Sequence, residues 1–109
     1  MQRNIIKEKT IEFSLLVIEF TELLERNRKF IVGNQLLKAA TSIGANVHEA
    51  QCAESKADFV HKMKIAAKEA EETGYWLLLC SKSTTYPRSF LPINSDSIRL
   101  ILPKLNLDH

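Results

Sequence analysis

The sequence predicts an all-α protein: an antiparallel up-down four-helix bundle with a short fourth helix. Glycine and proline number three each in 109 residues, and the chain is rich in Leu, Ile, Ala, Glu and Lys, which suits helices better than sheets. Three segments carry apolar residues at alternating steps of three and four, the spacing of one helix face. Because their connections are short, these helices are expected to pack as a single domain over residues 1–109.

The first helix is predicted over residues 4–26. Its apolar stripe includes Phe13, Val17, Phe20 and Leu24, at steps of four, three and four, so these side chains share one face. The polar face carries glutamates, and the helix ends in a basic run, where the helix dipole favours cations.

The second helix is predicted over residues 33–52, with a short connection at Gly33 and Asn34 before its apolar stripe. That stripe again alternates steps of four and three: Leu36, Ala40, Ile43, Val47 and Ala50. Several positions hold small residues that would let a neighbouring backbone approach closely: Ala39, Ala40, Ser42, Gly44, Ala45 and Ala50. Gly44 inside a helix costs about 1 kcal/mol relative to alanine. Close packing at Gly44 is therefore expected to compensate for that cost.

The third helix is predicted over residues 55–82 and begins at the tetrapeptide SKAD. Ser55 and Asp58 have the spacing of a capping box, in which each side chain accepts a hydrogen bond from the backbone amide of the other. The stripe that follows alternates steps of four and three: Phe59, Met63, Ala66, Ala70, Thr73, Leu77 and Cys80.

A fourth, short helix is predicted over residues 95–103, after a loop rich in serine, threonine and proline. Ser95 or Asp96 can cap this segment. Pro103 limits it to about two turns unless the helix continues with a kink.

The chain carries a formal charge of +2 and a pI of about 8.6, below the pI of about 9 that would indicate nucleic-acid binding by itself. Basic residues nevertheless gather in two groups, which either bind phosphates or form ordinary solvated helix surface. The two groups are Arg26, Arg28 and Lys29, and Lys56, Lys62, Lys64 and Lys68. No apolar run approaches the roughly 20 residues of a membrane span, and the N-terminus lacks a secretory signal, so a cytoplasmic protein is expected.

His48, Glu49, Cys52 and His61 are the residues that could form a metal or catalytic site. His48 and Cys52 lie four apart on one helix face, as paired metal ligands can, but each also fits an ordinary surface or corner position. A nucleophilic cysteine would need an activated thiolate and an oxyanion site, and the sequence has no motif for either. We therefore predict no catalytic, metal or cofactor site. Cys80 is too far along the third helix to reach Cys52, so two free thiols are expected.

Polar residues also occupy inward-leaning positions of the second and third helices. They are predicted to fix helix register through hydrogen bonds, inside the bundle or at a subunit interface: Ser42, Asn46, Glu49, Glu69 and Thr73. Tyr75 and Trp76 adjoin the third stripe on faces that one small bundle cannot cover completely. They form either part of a subunit interface, where aromatic residues are enriched, or part of the core.

Residues 35–79, QLLKAATSIGANVHEAQCAESKADFVHKMKIAAKEAEETGYWLLL, resemble the core signature of the bacterial 23S ribosomal RNA intervening-sequence proteins. The resemblance implies a four-helix bundle that assembles into a homopentamer and has no known enzymatic activity. A related branch comprises accessory proteins of diversity-generating retroelements, which associate with nucleic acid and a reverse transcriptase. The residues that match the family pattern are Ser42, Asn46, Glu49, Ser55, Phe59, Glu69, Thr73 and Trp76.

Composition, pattern and resemblance together lead to the hypothesis of a non-enzymatic, oligomeric accessory protein that contacts RNA or DNA beside a nucleoprotein partner. A pentamer would raise the charge from +2 to about +10 and strengthen its field. The alternative is a protein-interaction scaffold that binds a partner through Tyr75 and Trp76, or through the fourth helix, without touching nucleic acid.

Overall fold

The computed structural model describes residues 4–87, which form three α-helices and no β-strand within that range. The helices are α1 (Ile5–Arg26), α2 (Phe30–Ala50) and α3 (Lys56–Lys82). The all-α prediction is confirmed for this part of the chain. The predicted helix at 95–103 lies outside the described residues. None of the three helices is long and apolar enough to cross a membrane.

Helix α1 begins at a side-chain cap and ends in an unusual backbone turn. The Asn4 side chain accepts a hydrogen bond from the Lys7 amide at 3.1 Å, which satisfies one of the free amides of the first turn. At the other end, Arg28 has a φ of +62°, a left-handed conformation that glycine usually supplies. The Lys29 amide then donates to the Leu24 carbonyl at 2.8 Å. The chain therefore reverses at residues 27–29.

Helix α2 begins at Phe30, three residues before the predicted start, so Gly33 and Asn34 lie inside the helix. The predicted connection at Gly33 and Asn34 is therefore wrong. Glycine serves close packing here, because a Cβ atom at position 33 would lie 3.5 Å from the Leu24 Cβ atom. The turn itself is made by Arg28, which sequence patterns do not mark as a turn residue.

Helix α3 begins where the sequence predicts, although only half of the predicted capping box forms. The Ser55 hydroxyl accepts from the Asp58 amide at 3.0 Å, which confirms Ser55 as the N-cap. The Asp58 carboxylate accepts from the Glu54 amide at 3.3 Å, and not from the Ser55 amide. The carboxylate still satisfies a backbone donor at the start of the helix.

The middle helix carries most of the packing, because within residues 4–87 α2 contacts both α1 and α3 extensively whereas α1 and α3 hardly approach each other. The three-residue and five-residue connections make consecutive helices antiparallel. The predicted stripes form the core of this arrangement: Phe13, Val17, Phe20, Leu24, Leu36, Ala40, Ile43, Val47, Ala50, Met63, Ala66, Ala70, Leu77 and Cys80. Because α2 lies between α1 and α3, surface residues of α1 and α3 come near each other mainly at the ends of the bundle.

Candidate nucleic-acid interface

Four cations lie at the end of the bundle where α1 passes into α2, and we refer to Arg26, Arg28, Lys29 and Lys82 as the corner basic group. Arg26, Arg28 and Lys82 are exposed, and Lys29 is half-buried. The Lys29 Nζ atom lies 5.3 Å from the centroid of the Tyr86 ring, within the range of a cation–π contact. None of the four forms an ion pair with another residue of the 4–87 range.

Lys82 and Tyr86 were not singled out by the sequence, because they follow the Arg26 run by more than fifty residues. The third helix of an up-down bundle returns to the end where the first helix finishes. Val32 of α2 accordingly shares a surface hollow of about 350 Å³ with Lys82 and Tyr86. The predicted topology was therefore the signal that could have placed Lys82 beside the corner.

The second predicted group, Lys56, Lys62, Lys64 and Lys68, lies in the first half of α3. Helices rise by about 1.5 Å per residue, so Lys62 and Lys82 are separated by roughly 30 Å along the axis. The structure therefore does not bring the two basic groups together. They form separate surfaces, one at the α1–α2 corner and one that runs from the start of α3 to its middle.

Lys62 of the second group forms an ion pair with the preceding helix. Its Nζ atom lies 2.8 Å from the Glu49 Oε1 atom near the end of α2. The hydrogen bond to Glu49, helped by the negative charge of that carboxylate, raises the pKa of Lys62 above its ordinary value. The pair links α2 to α3 and leaves Lys62 less available for phosphate.

The other polar side chains predicted to fix helix register bond mainly within their own helices. The Asn46 amide group donates to the Ser42 carbonyl at 2.9 Å, and the buried Thr73 hydroxyl donates to the Glu69 carbonyl at 2.7 Å. These bonds satisfy polar groups without joining two helices. Among the five predicted residues, Glu49 makes the hydrogen bond that crosses between helices, and a role for the others at a subunit interface stays a prediction.

Tyr75 and Trp76 differ in burial, and a subunit interface at Tyr75 stays a prediction. Trp76 is partly buried against the core, and its indole N–H donates to the Glu72 carboxylate at 3.2 Å. Tyr75 is 54% exposed and meets the Trp76 ring edge-on at a centroid distance of 5.3 Å. Trp76 therefore packs against the edge of the core, whereas Tyr75 is a surface residue.

The thiol and imidazole groups give little support to a metal or nucleophile hypothesis. His48, Glu49, Cys52 and His61 are all exposed, and no three metal-ligating side chains within residues 4–87 are close enough to hold an ion. Both cysteines are free. Burial raises the pKa of the Cys80 thiol to about 11, so this group is protonated at neutral pH and is a poor nucleophile.

Comparisons with known proteins agree with the helical architecture. The sequence profile of the 23S rRNA-intervening sequence protein family matches residues 2–101. Among solved structures, the chain is similar to a protein of unknown function from the S23 ribosomal protein family of Bacteroides thetaiotaomicron VPI-5482. The two are 36% identical with a TM-score of 0.72, and the match covers 92% of this chain and 87% of the other. No curated protein matches significantly. The chain belongs to the 23S rRNA-intervening sequence protein family.

Proposed function

We propose that this protein is a non-enzymatic, oligomeric accessory protein whose corner basic group binds the phosphates of RNA or DNA. The observation that carries the proposal is the convergence of Arg26, Arg28, Lys29 and Lys82 at one end of the bundle. Exposed cations that are not already paired can replace the counterions around a nucleic-acid backbone. Such contacts are independent of base sequence, so we expect binding that tolerates many sequences.

The chemistry of the corner suits an RNA surface better than a small anion. Arg26 and Arg28 can each donate two parallel hydrogen bonds to a phosphate. Tyr86 places an aromatic ring beside Lys29, and aromatic rings beside cations are a common platform for unpaired bases. Glu22 and Glu25 line the hollow next to Lys29 and limit the positive surface on the α1 side.

Oligomer formation would strengthen the weak positive electrostatic field of the monomer. A net charge of +2 per chain becomes about +10 in a pentamer, and basic corners repeated by symmetry would face a long nucleic acid together. The lysines in the first half of α3 form a second contact surface in the same proposal, and Lys62 contributes less because of Glu49.

The test is fluorescence anisotropy of a labelled, structured RNA across a salt series. The corner variant replaces three cations with glutamine, and a control variant removes the same charge from other parts of α1 and α2. The substitutions are Arg26→Gln, Arg28→Gln and Lys29→Gln in the first, and Lys7→Gln, Lys9→Gln and Lys38→Gln in the second. The corner variant is expected to reduce the slope of log affinity against log salt by about 2 to 3.

The control variant is expected to change the slope by less than half as much. Equal reductions of the salt slope in the two variants would mean that only net charge affects binding, and the corner basic group would then have no special role. Absence of wild-type binding at low salt would refute nucleic-acid association altogether.

A protein-interaction scaffold is the second candidate function, favoured by the exposed apolar surface at Tyr75, Leu78 and Leu79. It predicts protein partners that stay bound after nuclease treatment. Their loss on substitution of Tyr75, together with no RNA binding, would favour the scaffold over the nucleic-acid proposal.

A further inference from the structure

A hollow of about 250 Å³ lies between α1 and α2 beside the corner basic group, and we refer to it as the corner hollow. On α1, Ile18, Glu22 and Glu25 follow each other at steps of four and three, so they share the face that borders the hollow. On α2, Phe30 and Asn34 lie four residues apart and line the other side. The corner hollow therefore forms only where the two helix ends meet.

Two carboxylates are the unusual feature of this hollow, because they lie at the edge of a positively charged corner. Glu22 and Glu25 are both exposed, and neither forms an ion pair within residues 4–87. An ionised carboxylate accepts hydrogen bonds and donates none. Since the two carboxylates repel phosphate, the part of a ligand that meets them must carry N–H or O–H donors and no negative charge.

An aromatic ring lines the same hollow. Phe30 is 48% exposed, so part of its surface is open to a ligand. Flat nucleobases stack on such side chains when single strands bind to proteins. The volume of about 250 Å³ lies below the range of about 300 to 1,000 Å³ that is typical of sites for drug-sized ligands. The corner hollow therefore suits one small ring system better than a segment of peptide.

Lys29 connects the corner hollow with the phosphate-binding corner. It lines the hollow, while its Nζ atom lies 5.3 Å from the centroid of the Tyr86 ring. A nucleotide whose phosphate contacts Lys29 can thus set its uncharged base in the hollow. A cationic peptide would also match the carboxylates, but the four cations of the corner basic group repel it.

We infer that the corner hollow binds one unpaired base of a single-stranded nucleic acid, with guanine preferred and a neighbouring phosphate on Lys29. The inference rests on the proposed function and adds a base contact to the phosphate contacts, which carry no base preference. Guanine has two adjacent N–H donors on its pairing edge, which match the two oxygens of one carboxylate, whereas uracil has one donor between two acceptors. In a duplex that edge is already paired, so duplexes cannot use the hollow.

The test is fluorescence anisotropy with three short RNA strands of equal charge. They are an oligouridine, the same strand with one central guanosine, and the same strand with one central inosine, which lacks the 2-amino group of guanosine. The guanosine strand should bind about fivefold or more tightly than the oligouridine, with the inosine strand between them. These ratios should change little with salt, because all three strands release the same counterions. Pairing the strands with their complements should abolish the preference.

Carboxylate variants separate base recognition from simple electrostatics. The double variant Glu22→Gln, Glu25→Gln loses two negative charges beside the phosphate site, so it should bind oligouridine more tightly. Its preference for guanosine should nevertheless fall by about threefold or more, because hydrogen bonds to charged groups are about twice as strong as neutral ones. The matched control Glu12→Gln, Glu19→Gln loses the same charge from α1 outside the hollow and should keep the wild-type preference.

Phe30 variants test the stacking contact. Phe30→Ala should weaken the binding of every single strand by about fivefold or more, whereas Phe30→Trp should bind at least as tightly as the wild type. Ile31→Ala is the matched control, because Ile31 is the neighbouring residue, is 82% exposed and does not line the hollow. It should bind like the wild type. Circular dichroism of each variant checks that the helices are intact.

Three results would overturn the inference. Equal affinity for the guanosine, inosine and uridine strands, or a guanosine preference that survives the loss of both carboxylates, would refute the base site and leave the phosphate contacts standing. Guanosine monophosphate should compete about tenfold or more weakly than the strand, since it lacks neighbouring phosphates; equal competition would assign the hollow to a free nucleotide. Absence of binding by every strand at low salt would refute the proposed function itself.

Discussion

Gly44 on α2 offers a sharp test of how closely α1 and α2 pack. A Cβ atom built at this position would lie 3.4 Å from the Cβ and Oγ1 atoms of Thr10 and 3.7 Å from the Ser14 Oγ atom. These are ordinary contact distances, so a methyl group fits without moving the helices. Gly44→Ala then gains about 1 kcal/mol of stability from helix propensity. It loses a few tenths of a kcal/mol because the new methyl group packs tightly against buried Thr10. We expect a net stabilisation of about 0.5 to 1 kcal/mol.

The assay is urea unfolding followed by circular dichroism at one protein concentration, because self-association contributes to apparent stability. The gain corresponds to a rise in melting temperature of about 2 to 6 °C. Gly44→Leu is the control: its larger side chain overpacks the contact with Thr10, and we expect a loss of about 1 to 3 kcal/mol. A destabilised alanine variant would refute the reasoning, since α1 and α2 would then have to be closer than the structure shows.

Two further predictions concern the α1–α2 turn and the buried thiol. Arg28→Gly should stabilise the protein by about 0.5 to 1 kcal/mol because glycine adopts the φ of +62° without strain; Arg28→Ala, which also removes the charge, should give no such gain in urea unfolding. The pKa of Cys80 is raised from 9.0 to about 11 in the folded state, so its contribution to stability is complete below pH 9 and declines as the pH rises toward 11. Between pH 9 and 11, the free energy of unfolding should fall by about 1 to 2 kcal/mol more in the wild type than in Cys80→Ala. Parallel curves for the two proteins would contradict the assignment.

The three described helices and their core were predictable because hydrophobic period is a local property. Every core residue from Phe13 to Cys80 lies on a stripe whose steps of three and four are visible in the sequence. The Ser55 cap was visible for the same reason, because donor and acceptor are three residues apart. The first turn was missed because Gly33 and Asn34 look like turn residues, whereas Arg28 bears the left-handed conformation.

By itself, the sequence determined the helix class, the buried face of each helix and the presence of two basic groups. The tertiary structure decided which of those side chains meet: Lys82 and Tyr86 join the α1–α2 corner, Lys62 pairs with Glu49, and Trp76 turns inward while Tyr75 turns out. The physical reason is that helical spacing specifies which residues share a face of one helix, whereas contacts between helices depend on how the helices are arranged in space. A candidate surface built from two or three helices is therefore a property of packing, even when each of its cations is plain in the sequence.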